Sequence, residues 1–237
     1  MSQAGRGVFV TGTDTGVGKT QVTLGIMLCL QSHGLKVAGM KPIASGCWRT
    51  EDGLRNADAL SIQQHCSISL PYGDINPFAF ESPIAPHIAA EESGVAISMV
   101  AIAQAYQRML RQVDWCMVEG VGGWLVPLSA RHTVADLAQC LALPVVLVVG
   151  IRLGCLNHTL LSVESIQRGH LRLLGWVANQ IDDDVARPER NIATLREWID
   201  APLMGIIPPQ PVPSADAFAA RLGTGVDALI NKDSSTW

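Results

Sequence analysis

Short, continuous apolar segments alternate along the chain with longer segments in which apolar residues recur every three or four positions. The continuous segments predict β-strands at 8–11, 36–40, 115–118, 144–149, 174–178 and 203–207. The periodic segments predict helices at 20–33, 58–65, 98–112, 133–141, 157–168 and 189–199. Apolar strands separated by helices are typical of a parallel sheet covered on both faces. We therefore expect a doubly wound α/β fold with a mainly parallel sheet.

The chain shows no internal repeat and no change in composition that would mark a domain boundary. We therefore expect residues 1–237 to form a single α/β domain. The proline-rich segment 208–213 follows the last predicted strand and predicts an ordered loop. Residues 231–237 are polar, and we expect this end of the chain to be frayed.

Ligands of an open parallel sheet bind beyond the carboxyl ends of the strands. Several predicted strands end at or next to a residue suited to such a site. The topology therefore predicts one rim of the sheet that carries Thr11, Lys41, Glu119, Gly150 and Asn179.

The composition fits a globular protein and argues against two classes of partner. Of the 237 residues, 48% are hydrophobic and 16% are charged, and the formal net charge is −4. Because the sequence has no basic run that could neutralise phosphates, we expect no binding to nucleic acid or to a membrane surface. The longest apolar run, 141–151, is too short to span a bilayer.

Cysteine spacing bears on the compartment. None of the six cysteines forms a C-x-x-C pair, and several lie in apolar segments. They predict reduced, mostly buried thiols rather than a secreted disulfide framework. The first predicted strand follows a short N-terminal segment without the features of a signal peptide. We expect a soluble, cytoplasmic protein.

The segment 12–20, which reads GTDTGVGKT, joins the first predicted strand to the first predicted helix. Backbone N–H groups in such a loop form an anion site at a helix N-terminus. Lys19 can reach the β- and γ-phosphates of a nucleotide, and the Thr20 hydroxyl can coordinate Mg²⁺. The match to G-x-x-x-x-G-K-[ST] is not literal, since Gly12 lies one residue early. An ordinary glycine-rich turn remains the simpler alternative.

Other rim residues are candidates for charge stabilisation. Lys41 follows a predicted strand and is either a second cation beside the γ-phosphate or a surface lysine. Glu119 ends a buried strand, as a Walker-B carboxylate does, and the glycines after it, Gly122 included, leave room for a ligand. A strand-end turn would also explain Glu119. Asp58, taken alone, is an ordinary helix residue.

The predicted helix at 157–168 has Asn157 as a natural N-cap, and its N-terminus could also receive a carboxylate. Several chemistries are not indicated. Histidine spacing does not suit a metal site, and no G-x-S-x-G segment is present. Asn179 is followed by Gln180 rather than by lysine, which argues against the N-K-x-D motif of GTPases.

Taken together, several motifs resemble those of the dethiobiotin synthetases. They cover the chain from about residue 8 to 208, in the order of that family. Any one of them is weak, but the set is specific. The motifs are VTGTDT at 10–15, GKT at 18–20, KPIASG at 41–46, GLRNAD at 53–58, VEGVGGW at 118–124, LGCLNH at 153–158, GWVAN at 175–179 and APLMG at 201–205.

The resemblance implies a P-loop NTPase-like fold and a homodimer that converts 7,8-diaminopelargonate, carbon dioxide (or bicarbonate) and ATP into dethiobiotin, ADP and phosphate. It implies that Mg²⁺ is held by Thr20, Asp58 and Glu119. Asn179 would read adenine, and Pro208 with the following loop would close over the base. The nucleotide contacts implied in the P-loop and the next glycine-rich turn are Thr15, Gly16, Val17, Gly18, Lys19, Thr20 and Gly122.

The resemblance also implies roles toward the diamine. Lys41, with Lys19, would stabilise the carbamate and its phosphorylated form. Ser45 would contact the substrate. The segment 154–157, with Cys155 and Asn157, would bind the substrate carboxylate from the partner subunit.

Departures from the family concern nucleotide selectivity more than the type of reaction. Gly16 stands where many dethiobiotin synthetases carry an acid, and Gln180 stands where aspartate is common. The residues after Pro208 are also particular to this chain.

Three other interpretations share the P-loop. A regulatory ATPase of the partition or division-site kind would carry a signature lysine where this chain has Asp14. A cobalamin-pathway amidase would need a glutaminase domain, for which the chain has no room. A nucleotide-binding protein without chemistry would not need Lys41 and the two acids. Fold analogy alone cannot separate these interpretations.

Overall fold

The computed structural model describes residues 6–182, 184–210 and 212–230. Its strands are β1 (Arg6–Gly12), β2 (Val37–Met40), β3 (Ile43–Ala44), β4 (Trp48–Thr50), β5 (Gly53–Arg55), β6 (Phe78–Ala79), β7 (Trp115–Glu119), β8 (Val145–Ile151), β9 (Leu173–Gln180) and β10 (Leu203–Ile207). Its helices are α1 (Lys19–Ser32), α2 (Ala57–Gln64), α3 (Tyr72–Ile75), α4 (Pro86–Ser93), α5 (Met99–Leu110), α6 (Val134–Cys140), α7 (Cys155–Arg168), α8 (Pro188–Trp198) and α9 (Ala215–Ile230).

The central sheet has six parallel strands in the order β10-β9-β8-β1-β7-β2. Val10 of β1 is paired with Glu119 of β7, and Gly150 of β8 with Asn179 of β9. These registers bring the carboxyl ends of the strands to one edge, as the sequence predicts. Two short ribbons, β3–β6 and β4–β5, lie outside this sheet.

Apolar side chains cover both faces of the sheet, and alternate residues of β8 and β9 pack into two different apolar clusters. Val146 and Val177 belong to the cluster that contains α1 and α9. Their sequence neighbours Leu147 and Trp176 belong to the cluster formed with α7 and α8. Because both faces are covered, the strands are apolar throughout, and burying them supplies most of the driving force for this architecture. The doubly wound α/β prediction is confirmed.

All six predicted strands and all six predicted helices are present, with ends displaced by a few residues. The helices α3, α4 and α9 and the two ribbons were not predicted. The prediction for α7 needs a correction. This helix begins at Cys155 after Gly154, whose φ of 90° is left-handed, so Asn157 lies in the first turn and is not the N-cap.

Two other predictions concern the ends of the fold. Residues 208–210 form a loop after β10, as expected. The predicted frayed end, 231–237, lies outside the described residues. Within the described segments, no helix is long and apolar enough to cross a membrane.

Candidate active site

The loop between β1 and α1 is shaped by two left-handed glycines, Gly16 (φ 74°) and Gly18 (φ 88°). Gly18 precedes α1, and within the described residues no side chain caps this helix. The first N–H groups of α1 therefore point toward a ligand, as in an anion site. Val17 is fully buried and packs against two glycines, Gly12 and Gly150. A Cβ atom on either glycine would lie only 2.5 or 2.7 Å from a methyl group of Val17.

Lys19 begins α1 and its side chain turns back over the loop. Its Nζ donates a hydrogen bond to the carbonyl oxygen of Asp14 at 2.8 Å. Burial lowers the pKa of Lys19 to about 8; Glu119 opposes this shift and Lys41 adds to it. A buried cation beside a set of free backbone N–H groups is suited to a polyphosphate.

Lys41 lies at the centre of a buried charge cluster. Its Nζ is 2.5 Å from Glu119 Oε1 and 2.8 Å from Asp58 Oδ2, and the residue is 6% exposed. Burial alone would lower the pKa of Lys41, but the two carboxylates outweigh it and raise the pKa. For Asp58 the signs are reversed: burial alone would raise its pKa, but Lys41, with smaller effects of Thr20 and Lys19, lowers the pKa. The ammonium is therefore held as a cation.

Buried amides fix the backbone of this cluster. The Asn76 side chain donates to the Lys41 carbonyl oxygen at 2.7 Å, just past the end of β2. Asn56 caps α2 by accepting from the N–H groups of Asp58 and Ala59 at 3.1 and 3.2 Å. Asp58 is thus held in the first turn of α2, where a carboxylate is favoured by the helix dipole.

The oxygen atoms around Glu119 fit a hard divalent cation. The Thr20 hydroxyl donates to Glu119 Oε1 at 2.9 Å, and Glu119 is fully buried. Its other oxygen, Oε2, is buried without a hydrogen-bond partner in the described residues. Those residues contain no group of three or more His, Cys, Asp or Glu side chains that could hold a metal. Two carboxylates and a hydroxyl match Mg²⁺, which is usually completed by phosphate oxygens and water.

A cavity of about 700 Å³ opens over these groups. Two residues that line it, Ser45 and Gln21, each have a buried side-chain oxygen without a partner among the described residues. Polar atoms of this kind are expected to meet a ligand or water. The cavity is lined by Thr15, Gly16, Gly18, Lys19, Thr20, Gln21, Lys41, Ser45, Asn56, Asp58, Pro83, Ile84, Ala85, Pro86, Glu119, Val121, Gly122 and Val126.

A second cavity of about 580 Å³ adjoins the first across the loop. The two share Gly16, Gly18 and Gln21. Pro208 precedes the lining residues of this cavity but is not among them. They are Gly16, Gly18, Gln21, Asn179, Gln180, Ile181, Pro209, Gln210, Pro213 and Phe218.

Two predicted substrate residues lie away from both cavities. Cys155 is buried at the start of α7, and Asn157, two residues later in the same turn, is exposed. Close to them in sequence, Arg152 forms an ion pair with Asp14 of the nucleotide loop. The structure therefore does not bring Cys155 and Asn157 to Lys41 within one chain.

Comparisons with known proteins bear on which chemistry this arrangement serves. A family model described as an AAA domain matches residues 6–216. The ATP-dependent dethiobiotin synthetase of Cellvibrio japonicus (strain Ueda107) is 50% identical over 214 residues, or 90% of this chain and 94% of that protein. The chain belongs to the dethiobiotin synthetase family. A second dethiobiotin synthetase, from Xanthomonas oryzae pv. oryzae (strain PXO99A), is 45% identical over 92% of this chain and 96% of that protein.

Solved structures share the fold of this member of the dethiobiotin synthetase family. The cell-division protein MinD of Aquifex aeolicus, in a complex with MinC, superposes with a TM-score of 0.61 at 15% identity, covering 96% of both chains. The receptor FtsY of Elizabethkingia anophelis gives a TM-score of 0.52 at 14% identity, covering 98% of this chain and 65% of that one. Such low identities show the fold alone. The interpretation as a regulatory ATPase is not favoured.

Sequence reasoning missed several residues of the larger cavity. Gln21 follows the P-loop motif, Asn56 caps α2, and residues 83–86 form one wall. A sequence signal existed for Asn56 alone, since asparagine before a helical segment is a typical N-cap. Gln21 and the 83–86 segment carry no motif.

Proposed function

We propose that this chain catalyses the ATP-dependent closure of the cyclic urea of dethiobiotin from 7,8-diaminopelargonate and carbon dioxide, releasing ADP and phosphate. The observation that carries the proposal is the placement of Lys19, Lys41, Asp58 and Glu119 around one cavity over the P-loop. Membership of the dethiobiotin synthetase family supports the same reaction.

The chemistry requires a site that collects negative charge. One amine of the substrate attacks carbon dioxide, loses a proton and becomes a carbamate. A carbamate oxygen then attacks the γ-phosphorus of ATP, which forms a mixed anhydride and releases ADP. The second amine attacks the carbonyl carbon, phosphate leaves with the bonding pair, and the urea ring closes. Holding both amines in one pocket makes the last step unimolecular.

The two lysines match where that charge develops. Lys19 begins the helix after the P-loop, where the phosphates would bind, and Lys41 follows β2 and lines the same cavity. Preorganised cations at carbamate and phosphoryl oxygens lower the barrier without having to reorient. An ammonium that already donates to two carboxylates acts as a cation, so we assign Lys41 to charge stabilisation and not to covalent catalysis.

Mg²⁺ fits the oxygen ligands of Thr20, Asp58 and Glu119 and, when bound, would supply positive charge to the phosphate oxygens. The unpartnered Oε2 of Glu119 supports this assignment. Adenine fits the second cavity, where Asn179 offers an amide and Pro209 and Gln210 form the wall. Pro208 would act through the position of that loop.

The substrate carboxylate is assigned to the start of α7 in a second copy of the chain. Cys155 and Asn157 lie outside the cavity of their own chain, so a homodimer would let them complete the site of the partner. An exposed apolar group supports an interface here: Leu153 is 98% exposed, and Leu125 and Leu161 are more than half exposed. The six free cysteines suit the reducing cytoplasm.

The test is phosphate release by the purified protein with Mg·ATP and bicarbonate, with and without 7,8-diaminopelargonate. Phosphate release that depends on the diamine, together with a product of the mass of dethiobiotin, is the expected result. Hydrolysis that ignores the diamine would contradict the proposal and would point to a regulatory ATPase. Replacing bicarbonate by a nominally carbon dioxide-free buffer is the matched control.

A further inference from the structure

Asn179, near the end of β9, reaches across to the nucleotide loop. Its Nδ2 donates a hydrogen bond to the carbonyl oxygen of Val17 at 2.9 Å, and the residue is only 6% exposed. The two residues are far apart in sequence but adjacent in space, because β9 is paired with β8 and β8 with β1. The contact therefore joins the sheet to the loop that precedes α1.

The same amide packs against the left-handed glycine of the loop. A Cβ atom on Gly18 would lie 2.3 Å from Asn179 Nδ2. Gly18 has a φ of 88°, a conformation that leaves its neighbours' N–H groups facing the anion site. On the other side, Val17 is wedged against Gly12 and Gly150. The peptide between Val17 and Gly18 is thus held by the packing of the Val17 side chain and by the hydrogen bond to the Val17 carbonyl oxygen.

Asn179 also lines the second cavity, together with Gln180 and Gln210. One side chain consequently borders the space assigned to the base and fixes the loop assigned to the phosphates. We propose that Asn179 is a positioning residue for the phosphate loop, in addition to any contact with the base. The inference rests on the proposed nucleotide site but assigns to Asn179 a task that base recognition does not include.

The physical reason is the cost of losing a buried partner. Without the Asn179 amide, the Val17 carbonyl oxygen would lose its only side-chain donor recorded in the described residues. A buried carbonyl without a donor favours rearrangement of its peptide. The Gly18 N–H and the first N–H groups of α1 would then lose their common orientation, and phosphate binding would weaken.

Inorganic tripolyphosphate separates the two tasks, because it has phosphates and no base. We expect Asn179→Ala to weaken the binding of Mg²⁺-tripolyphosphate about five- to tenfold by titration calorimetry, the loss of one buried hydrogen bond. The affinity for ATP should fall by at least the same factor. The matched control is Gln210→Ala, which changes the wall of the second cavity but touches neither Val17 nor Gly18 in the described contacts; its tripolyphosphate affinity should stay at the wild-type value.

Asn179→Asp keeps the size of the side chain and replaces the donor by an acceptor facing the Val17 carbonyl. Asn179→Asp should lower the affinity for tripolyphosphate at least as much as Asn179→Ala does. It also provides a test if the alanine variant fails to fold. If the variants bind ATP more weakly but bind tripolyphosphate with wild-type affinity, Asn179 is only a base contact and the inference is overturned. If the wild-type protein binds neither ligand, the proposed nucleotide site itself is wrong. In both variants we also expect faster hydrogen exchange at the Gly18 and Lys19 amides when no ligand is present.

Discussion

Lys41 combines a buried cation with two carboxylates that would repel each other without it. Its ammonium lies within 2.8 Å of both Asp58 and Glu119, and the Asn76 amide fixes its backbone. Removing one partner of such a cluster leaves uncompensated charge. The charge of Lys41 and the packing of its stem therefore have to be separated in any test.

Lys41→Met removes the charge and keeps most of the apolar stem. We expect kcat to fall at least about a hundredfold, the usual effect of removing a preorganised transition-state charge. The affinity for ATP should change little, because the P-loop contacts remain. Lys36→Met, at an exposed position just before β2, is the matched control and should keep wild-type turnover. Near-normal turnover of the Lys41 variant would remove this residue from the mechanism.

The Ser45 hydroxyl is a second residue whose role can be isolated. Its oxygen is buried and has no partner in the described residues, so Ser45→Ala removes no hydrogen bond within them. We expect unchanged thermal stability and a KM for the diamine that rises about fivefold, with the KM for ATP unchanged. Ser69→Ala, at an exposed position, serves as the control. A lower melting temperature without a change in KM would make Ser45 a structural residue.

Several site residues could be predicted because the topology alone brings them together. Lys41, Glu119 and Asn179 each lie at the end of an apolar strand, and parallel strands share one carboxyl edge. Gln21 and Asn56 could not be assigned to the site in the same way. Their positions depend on side-chain direction and on the path of residues 42–56, which the apolar pattern does not encode.

Helix α9 shows how packing overrides local preference. It contains Gly223, Thr224 and Gly225, which disfavour helix formation, and it was not predicted. Its buried residues Phe218 and Leu222 nevertheless pack on α1. The helices approach closely because α1 has Gly25 at the contact, where a Cβ atom would lie 2.9 Å from Phe218 Cβ. Such a contact is invisible to a local sequence pattern.

Two glycine substitutions test this contact. Gly25→Ala should lower the free energy of unfolding by about 1–2 kcal/mol, because overpacking outweighs the gain in helix propensity. At Gly223, in α9, an added Cβ atom would have no neighbour within 4 Å. Gly223→Ala should therefore raise the free energy of unfolding by about 0.5–1 kcal/mol. Chemical denaturation measures both. Stabilisation by Gly25→Ala would mean that the two helices are free to move apart.

At the scale of the molecule, the fold is shared more widely than the chemistry. MinD of Aquifex aeolicus superposes on 96% of this chain with only 15% identity. The dethiobiotin synthetase of Cellvibrio japonicus covers a similar length at 50% identity. The parallel sheet could therefore be predicted from apolar patterning, whereas the proposed site depends on a few side chains at one edge. Neither signal says whether two copies of the chain associate.

Mixing two inactive variants tests whether the site is shared between subunits. Lys41→Met removes the cation, and Asn157→Asp should repel the substrate carboxylate at the start of α7. If each site uses Lys41 from one chain and Asn157 from the other, half of the sites in a mixed dimer are intact. Random exchange should then restore about a quarter of wild-type activity. Mixtures that stay as inactive as their components would place both residues in the same chain.

The order of strands in the sheet has a consequence for synthesis on the ribosome. Strand β1, which leads into the nucleotide loop, pairs with β7 and β8 and with no nearer segment in the described sheet. The loop at 12–18 emerges about a hundred residues before its flanking partners, residues 115–119 and 145–151. Pairings of such long sequence separation form slowly. The apolar side chains of β1 therefore stay without their sheet neighbours, and exposed to chaperones, until β7 and β8 have been made.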